Sequence, residues 1–279
     1  MATVADTAFL VAEFRARESA RPDALFLDPF AGRLAGERGS ALIKKVAHLG
    51  EMAGWSTVVR TVLIDRFLDE AIKRGTKAVL NVGAGLDARP YRMNLPSSLF
   101  WFEVDLAPVI EHKETVLVNE SPRCRLRRLA LDIVDATARQ ELLARLSTDE
   151  TPALVLAEGV FPYLQPDDVA RILDDLQAHQ AIQNLIVDYL SPELIRARSV
   201  TAVGPSNISM PFAPEDWQGF FAARGWKVRQ MGDLVEEGKR RGRPFAMPEA
   251  MRAIAQAQVG TEPSKPQGTF AAYALMERA

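Results

Sequence analysis

At 279 residues, 48% apolar and 25% charged, the chain is long enough for one large α/β domain or two small ones. Its 34 basic and 36 acidic residues leave a formal charge of -2, which removes the electrostatic argument for a nucleic-acid partner. A single cysteine, Cys124, rules out an intramolecular disulfide and suits a reducing cytoplasm. No apolar run approaches the roughly 20 residues of a bilayer span, and the amino terminus lacks a signal-peptide pattern, so a cytoplasmic protein is expected.

In chain order, residues 7–20 read as a helix carrying Phe9, Leu10, Phe14 and Ala16 on one side. Pro22, Pro29, Gly32 and Gly36 then punctuate short helical pieces, with Asp28 and Pro29 expected to form a turn that anchors them. Helix resumes over 39–53, and Ser56 is placed to cap another over 57–74. There Val59, Val62, Leu63, Phe67 and Ile72 make a core face, and Gly75 ends the run. Arg60 lies beside that face. Residues 1–75 are therefore expected to form a helical cap over whatever site the following strands build.

The stretch from Lys77 to Arg92, K-A-V-L-N-V-G-A-G-L-D-A-R-P-Y-R, organises the rest. Ala78, Val79, Leu80 and Val82 read as a buried parallel strand running into Gly83 and Gly85, where the lack of a Cβ lets the backbone approach a ligand. A second strand, L-F-W-F-E-V-D, ends in Glu103 and Asp105, and an acid at that tip is placed to accept from ribose hydroxyls. A helix with Pro108 in its first turn follows, then a third strand ending at Asp132, whose alternating arginines suit a sheet edge. After a short helix over 135–146, the fourth strand A-L-V-L-A-E-G-V carries Glu158 to the ligand crevice. A loop and a helix from Pro166 lead to strand five at 184–190. Residues 191–213 are irregular and proline-rich, at a length found in loops that cover sites. A helix over 214–224, strand six from Trp226, a basic connection E-E-G-K-R-R-G-R-P and a last strand G-T-F-A-A-Y-A-L-M-E-R complete the chain.

A glycine turn with a strand-tip acid indicates an adenosine-type ligand, and G-A-G-L-D-A by itself also fits the dinucleotide pattern of nicotinamide enzymes. Three features shift the balance. Helices precede the first strand, two late strands replace a second βαβαβ half, and no second domain offers a hydride-transfer constellation. Seven strands with a terminal one inserted antiparallel is the layout of methyltransferases that use S-adenosylmethionine.

On these motifs the chain resembles the leucine carboxyl methyltransferase family, and within it the bacterial branch of polyketide-type O-methyltransferases. The matching stretches are A-R-E-S-A-R-P-D-A-L-F-L-D-P-F-A, V-V-R-T-V-L-I-D, V-G-A-G-L-D-A-R-P-Y-R, W-F-E-V-D and A-E-G-V-F-P-Y-L, with Pro162 as a departure from the common pattern. The resemblance implies a class I methyltransferase: a Rossmann-like, seven-stranded α/β fold with the last strand antiparallel. It implies an N-terminal helical cap at 1–75, a cofactor-binding core at 76–279 and a lid insertion at 191–213. S-adenosyl-L-methionine is the implied cofactor and S-adenosyl-L-homocysteine its product, with no metal. Arg60 is implied to pair with the methionine carboxylate, helped by an upstream basic residue that spacing from Asp28 and Pro29 makes Arg17. Gly83 would pass under the methionine part, Asp105 would hold the ribose, and Asp132 with Ile133 would flank the adenine. Glu158 would lie near the ammonium or sulfonium, and Ala84, Gly85 and Leu106 complete the cofactor-binding set.

Simpler readings stand beside these. Arg60 also fits a partly buried salt bridge, Asp132 a helix N-cap, Glu158 a partner for Arg89 or Arg92, and Tyr163 plain core packing. Asp87 and Arg89 read as structural, holding the loop.

Methyl transfer from a sulfonium is an in-line displacement, so alignment and exclusion of water dominate. A carboxylate acceptor needs no general base, whereas a phenol or alcohol needs one, typically His. Of three histidines, His112 and His179 fall away from the crevice. His48, in the cap, and Tyr163 are the candidate catalytic residues, mainly in positioning. The shortage of bases favours a carboxylic acid acceptor over a phenol. Ile195, Val200, Val203, Ile208, Met210 and Phe212 in the expected lid favour a hydrophobic, polyketide-like small molecule. Protein C-terminal carboxyl methylation, a nicotinamide reductase and a non-enzymatic adenosine-binding module are the alternatives. The expected partner is a small-molecule substrate, without nucleic acid or membrane, for a monomer or homodimer.

Overall fold

Every residue of β1 (Ala78–Val82) and β4 (Ala153–Ala157) is buried, as unbroken apolar runs require of central parallel strands. The computed structural model describes residues 4–45, 50–146, 152–195, 209–245 and 269–279. In it the two strands pair with each other, and β1 pairs on its far side with β2 (Phe100–Asp105). With β3 (Arg125–Ala130), β5 (Ile182–Leu190), β6 (Trp226–Asp233) and β7 (Ala271–Arg278) they form one sheet in the order β3-β2-β1-β4-β5-β7-β6. β7 runs antiparallel to both neighbours, and β3 is an edge. The strand order reverses between β1 and β4, so a crevice opens at their carboxyl ends.

The helices are α1 (Val4–Ser19), α2 (Ala31–Lys45), α3 (Gly50–Lys73), α4 (Arg89–Arg92), α5 (Ala107–Val116), α6 (Ala136–Leu146), α7 (Pro166–Ala178), α8 (Trp217–Ala222) and α9 (Leu234–Arg240). The two-residue period of the strands divides them between the faces. Val79, Trp101, Leu154, Leu156 and Ile186 pack with Val59, Leu63 and Phe67 of α3. Leu80, Val82, Phe102 and Val155 face the other way, against Leu142 of α6 and Leu173 of α7. A third cluster joins Phe9 and Ala12 of α1 and Leu34 of α2 to Leu86, Ala88 and Tyr91 of the glycine loop and α4. Asp28 explains this docking: its buried carboxylate accepts from the backbone N of Phe30 and Ala31 and from Arg15 Nε. No described helix is long and apolar enough to cross a membrane.

Three local expectations need correction. Ser56 does not start a helix, because α3 already begins at Gly50, and burial of Val58 and Val59 carries it through that serine. The basic connection after strand six is α9, since Asp233 caps it by accepting from Glu236 N and Leu234 is buried. Its Glu237 is almost fully buried and ion-pairs with Arg240 and Arg241. Phe212 is not a lid residue facing substrate. It is 4% exposed and packs edge-on against Phe161 and Phe220 in the core. Val200, Val203 and Ile208 lie outside the described residues.

Candidate active site

A cavity of about 410 Å³ lies at the carboxyl ends of β1, β2 and β4, a size ordinary for a small-molecule site. Its floor is the glycine turn. Gly83 and Gly85 have φ of +61° and +48°, a region costly for any residue with a Cβ. A Cβ on Gly83 would also collide with the Val160 side chain. Gly83→Ala is therefore expected to lose about 1–2 kcal/mol of stability, read from a denaturant midpoint. An unchanged midpoint would show that the turn has another conformation.

Asp105 fastens that turn from the next strand. One carboxylate oxygen accepts from Gly85 N at 2.7 Å and the other from Leu106 N at 2.7 Å. Both oxygens keep further lone-pair capacity, and the residue lines the cavity. Leu106, 52% exposed, and Ile133, buried, add apolar surface at the same end. Asp132 lines the cavity too, with its carboxylate turned to Val134 N at 2.9 Å. It is not the cap of α6, because Asp135 accepts from Thr137 N and Ala138 N.

The other end is charged. Arg60 of α3 is ion-paired with Glu158 at 2.9 Å, and Glu158 accepts a hydrogen bond from Arg89 Nη1 at 2.9 Å. Arg89 is buried and reaches Asp65 at 2.7 Å and Asp87 at 2.9 Å, while Arg92 holds Asp65 from a second side. Burial alone would raise the Glu158 carboxyl, but the charges of Arg89 and Arg60 outweigh it and hold the group below its usual range. Burial also opposes the Asp87 charge, yet Arg89, Lys113, Arg15 and Arg92 keep it far below normal. Glu158 thus pairs with Arg89, and it also lines the cavity. Asp87 is a loop holder, accepting from Asn81 Nδ2 and Arg89 N, as well as a lining residue. Tyr163, on the 3-10 turn Phe161–Tyr163 that Pro162 helps to form, lines the same end.

Arg17 does not reach this cavity. Its side chain is 59% exposed, pairs with Glu13 and is not part of the cavity wall. Two residues turn a helix by about 200°, so the wall receives Arg15 instead. Arg15 is buried and donates to Asp28 and to the Leu86 carbonyl. Ala8, Val11 and Arg15 share one helix face on the cavity, a period of three and four that sequence could have disclosed. His48 lies outside the described residues, and no described lining residue is a histidine. His112 meets the Leu34 carbonyl and Phe9 instead. Sequence reading also gave no role to Asp188 and Tyr273, paired across β5 and β7 and close enough to act on the Arg60 charge; neither strand residue carried a motif.

A nucleoside with an amino-acid tail fits this arrangement. The glycine turn leaves room for close approach, and buried Arg60 Nε makes no hydrogen bond among the described residues despite its ion pair.

A sequence profile of leucine carboxyl methyltransferase matches residues 8–177. The chain belongs to the leucine carboxyl methyltransferase family. A Streptomyces avermitilis relative is 30% identical over 253 residues, covering 87% of this chain and 89% of its own. One from Frankia alni is 31% identical over 254 residues, covering 87% and 88%. Both bear names inferring an S-adenosyl-L-methionine-dependent methyltransferase. Among solved structures, a DUF574 family protein from Streptomyces avermitilis matches with TM-score 0.58 and 14% identity, over 96% of this chain and 97% of that one. A Thermobifida fusca protein described as an inferred methyltransferase matches at 0.53 and 17%, over 97% and 94%. These two likenesses speak for the fold alone, the class I methyltransferase sheet. Family membership makes this leucine carboxyl methyltransferase relative an S-adenosylmethionine-dependent methyltransferase.

Proposed function

We propose that the chain is an O-methyltransferase acting on a small hydrophobic acceptor, a carboxylic acid or phenol of the polyketide type. The observation that carries this reading is the two-ended cavity: Asp105 with apolar neighbours at one end, Arg60, Glu158 and Tyr163 at the other. Bound S-adenosylmethionine supplies an electrophilic methyl group on a sulfonium. The protein's part is to hold the ribose with Asp105, flank the base with Leu106, Asp132 and Ile133, and seat the turn of the ligand over Gly83, Ala84 and Gly85. Arg60 takes the tail carboxylate with a guanidinium fork, and Glu158 takes the ammonium. Val160, Tyr163 and Leu164 offer an apolar wall that excludes water from the reacting oxygen.

With no histidine among the described lining residues, an acceptor already ionised at neutral pH is favoured. A panel of aliphatic and aromatic carboxylic acids and phenols, incubated with methyl-labelled S-adenosylmethionine, tests this. Label is expected in base-labile esters. Methylation of phenols alone would overturn the carboxylate preference, and label on nitrogen alone would overturn the O-methyltransferase reading.

A further inference from the structure

Next to the proposed tail-binding end, outside the cavity lining, is a carboxyl group that the reading above does not use. Asp188, on β5, is 5% exposed, and its Oδ1 makes no hydrogen bond among the described residues. Val187 pairs with Ala157, which puts Asp188 level with Glu158 at the adjacent strand end. Across the sheet Asp188 pairs with Tyr273 of β7. Ile186, two positions before it, packs against Val59 and Leu63, so the strand period turns Asp188 toward α3, the helix that carries Arg60, and the charges acting on it are those of Arg60 and Glu158. Arg60 is in turn ion-paired with Glu158 and acted on electrostatically by Tyr273, Tyr163 and Asp188. The guanidinium meant for a ligand carboxylate therefore already has one ion-paired acid, and near it a second acid that makes no ion pair among the described residues.

We propose that Asp188 is a positioning residue for the cofactor tail: uncharged when the ligand's carboxylate is bound, it leaves Arg60 free to hold that carboxylate. This rests on the tail placement proposed above and adds a condition to it. Ionised Asp188 competes with the incoming carboxylate for one cation, in surroundings where burial strengthens every charge interaction. Burial pushes the Asp188 carboxyl up to about 7, against a hydrogen bond from its own backbone N–H and the Arg60 charge, with Glu158 adding to the rise. Near neutral pH the group is thus divided between its two forms, and a second anion at Arg60 favours the protonated one. Binding of the tail takes up a proton. The balance is simple: one proton passes from solvent to the Asp188 carboxylate as the ligand carboxylate engages Arg60, and no bond in the ligand changes.

The test is calorimetric titration with S-adenosylhomocysteine and with 5′-methylthioadenosine, which lacks the amino-acid end. Each is measured in two buffers of different ionisation heat from about pH 6 to 8.5, below the titration of Lys and Tyr side chains. For the wild-type protein, S-adenosylhomocysteine affinity is expected to fall about fivefold to tenfold per pH unit above neutrality, with uptake of up to one proton. Methylthioadenosine is expected to bind without that limb. Asp188→Asn keeps the shape of the neutral acid and is expected to bind S-adenosylhomocysteine with no pH limb and no uptake. Wild-type binding without proton uptake overturns the proposal, and needs no variant to be folded. A limb that survives in Asp188→Asn, or a uniform weakening at every pH, overturns it as well. The same limb with methylthioadenosine sinks the tail placement itself. The acceptor plays no part in these measurements, so failure of the O-methyltransferase reading would leave them standing.

Discussion

Arg89→Ala is expected to lose about 3–5 kcal/mol of folding stability, the cost of stripping one partner from a buried ion cluster. Arg89 is 2% exposed and serves three carboxylates at once: Asp65 at 2.7 Å, Asp87 at 2.9 Å and Glu158 at 2.9 Å. Its loss leaves Glu158 to Arg60 and Asp65 to Arg92, while Asp87 keeps Asn81 and a backbone N–H. The sign of the pH dependence follows from these acids. Asp65, Asp87 and Glu158 all lie below their ordinary values of 3.8, 3.8 and 4.5, because the arginine charges outweigh the burial that opposes ionisation. A depressed carboxyl stabilises the fold above its unfolded value and loses that contribution as pH falls through its folded value. The gap between wild type and Arg89→Ala is therefore full at neutral pH and narrows below about pH 4. Denaturant unfolding at several pH values reads both. A neutral-pH difference under about 1 kcal/mol would mean that the cluster is not closed around Arg89.

Asp105→Ala is expected to weaken S-adenosylhomocysteine binding by about 1.5–3 kcal/mol, roughly tenfold to a hundredfold, for lost charge-assisted hydrogen bonds. The carboxylate has two jobs at this position. It binds Gly85 N and Leu106 N, and it faces the cavity where a ribose would sit. Asp105→Asn separates them: its carbonyl can hold one of the two N–H groups, while the charge toward the hydroxyls is gone. Both variants are expected to bind worse, Ala more than Asn. Titration with adenosine checks that the loss belongs to the nucleoside and not to the tail. Wild-type affinity in Asp105→Ala would remove the ribose assignment.

How far the site could be read from sequence differs residue by residue. Gly83, Gly85 and Asp105 were visible because strand, turn and strand-tip acid are local: an apolar run predicts a buried strand, and its end predicts where glycine and acid must stand. The antiparallel place of β7 was reached by resemblance, since no local signal chooses a partner for a terminal strand. Arg15 and Arg17 show the limit inside one helix. Spacing from Asp28 counts residues along the chain, whereas the cavity selects a face, and two positions reverse that face. Glu158 shows another limit. Its partners Arg60 and Arg89 come from different elements, so its pairing with both, and its place on the cavity wall, depend on a three-dimensional meeting that sequence does not spell out.

By itself the order of residues determined the periodicities: helices before strands, a glycine turn after β1, acids at strand tips and apolar runs for a buried parallel sheet. These depend on neighbours a few positions apart, where backbone geometry leaves little choice. Only the tertiary structure decided which charges meet. It closed Arg60, Arg89, Glu158 and Asp87 into one cluster and set Asp188 and Tyr273 beside it from strands that carry no motif. The reason is physical: a buried charge is governed by whichever groups the fold brings within a few ångström, and that distance has no counterpart in sequence separation.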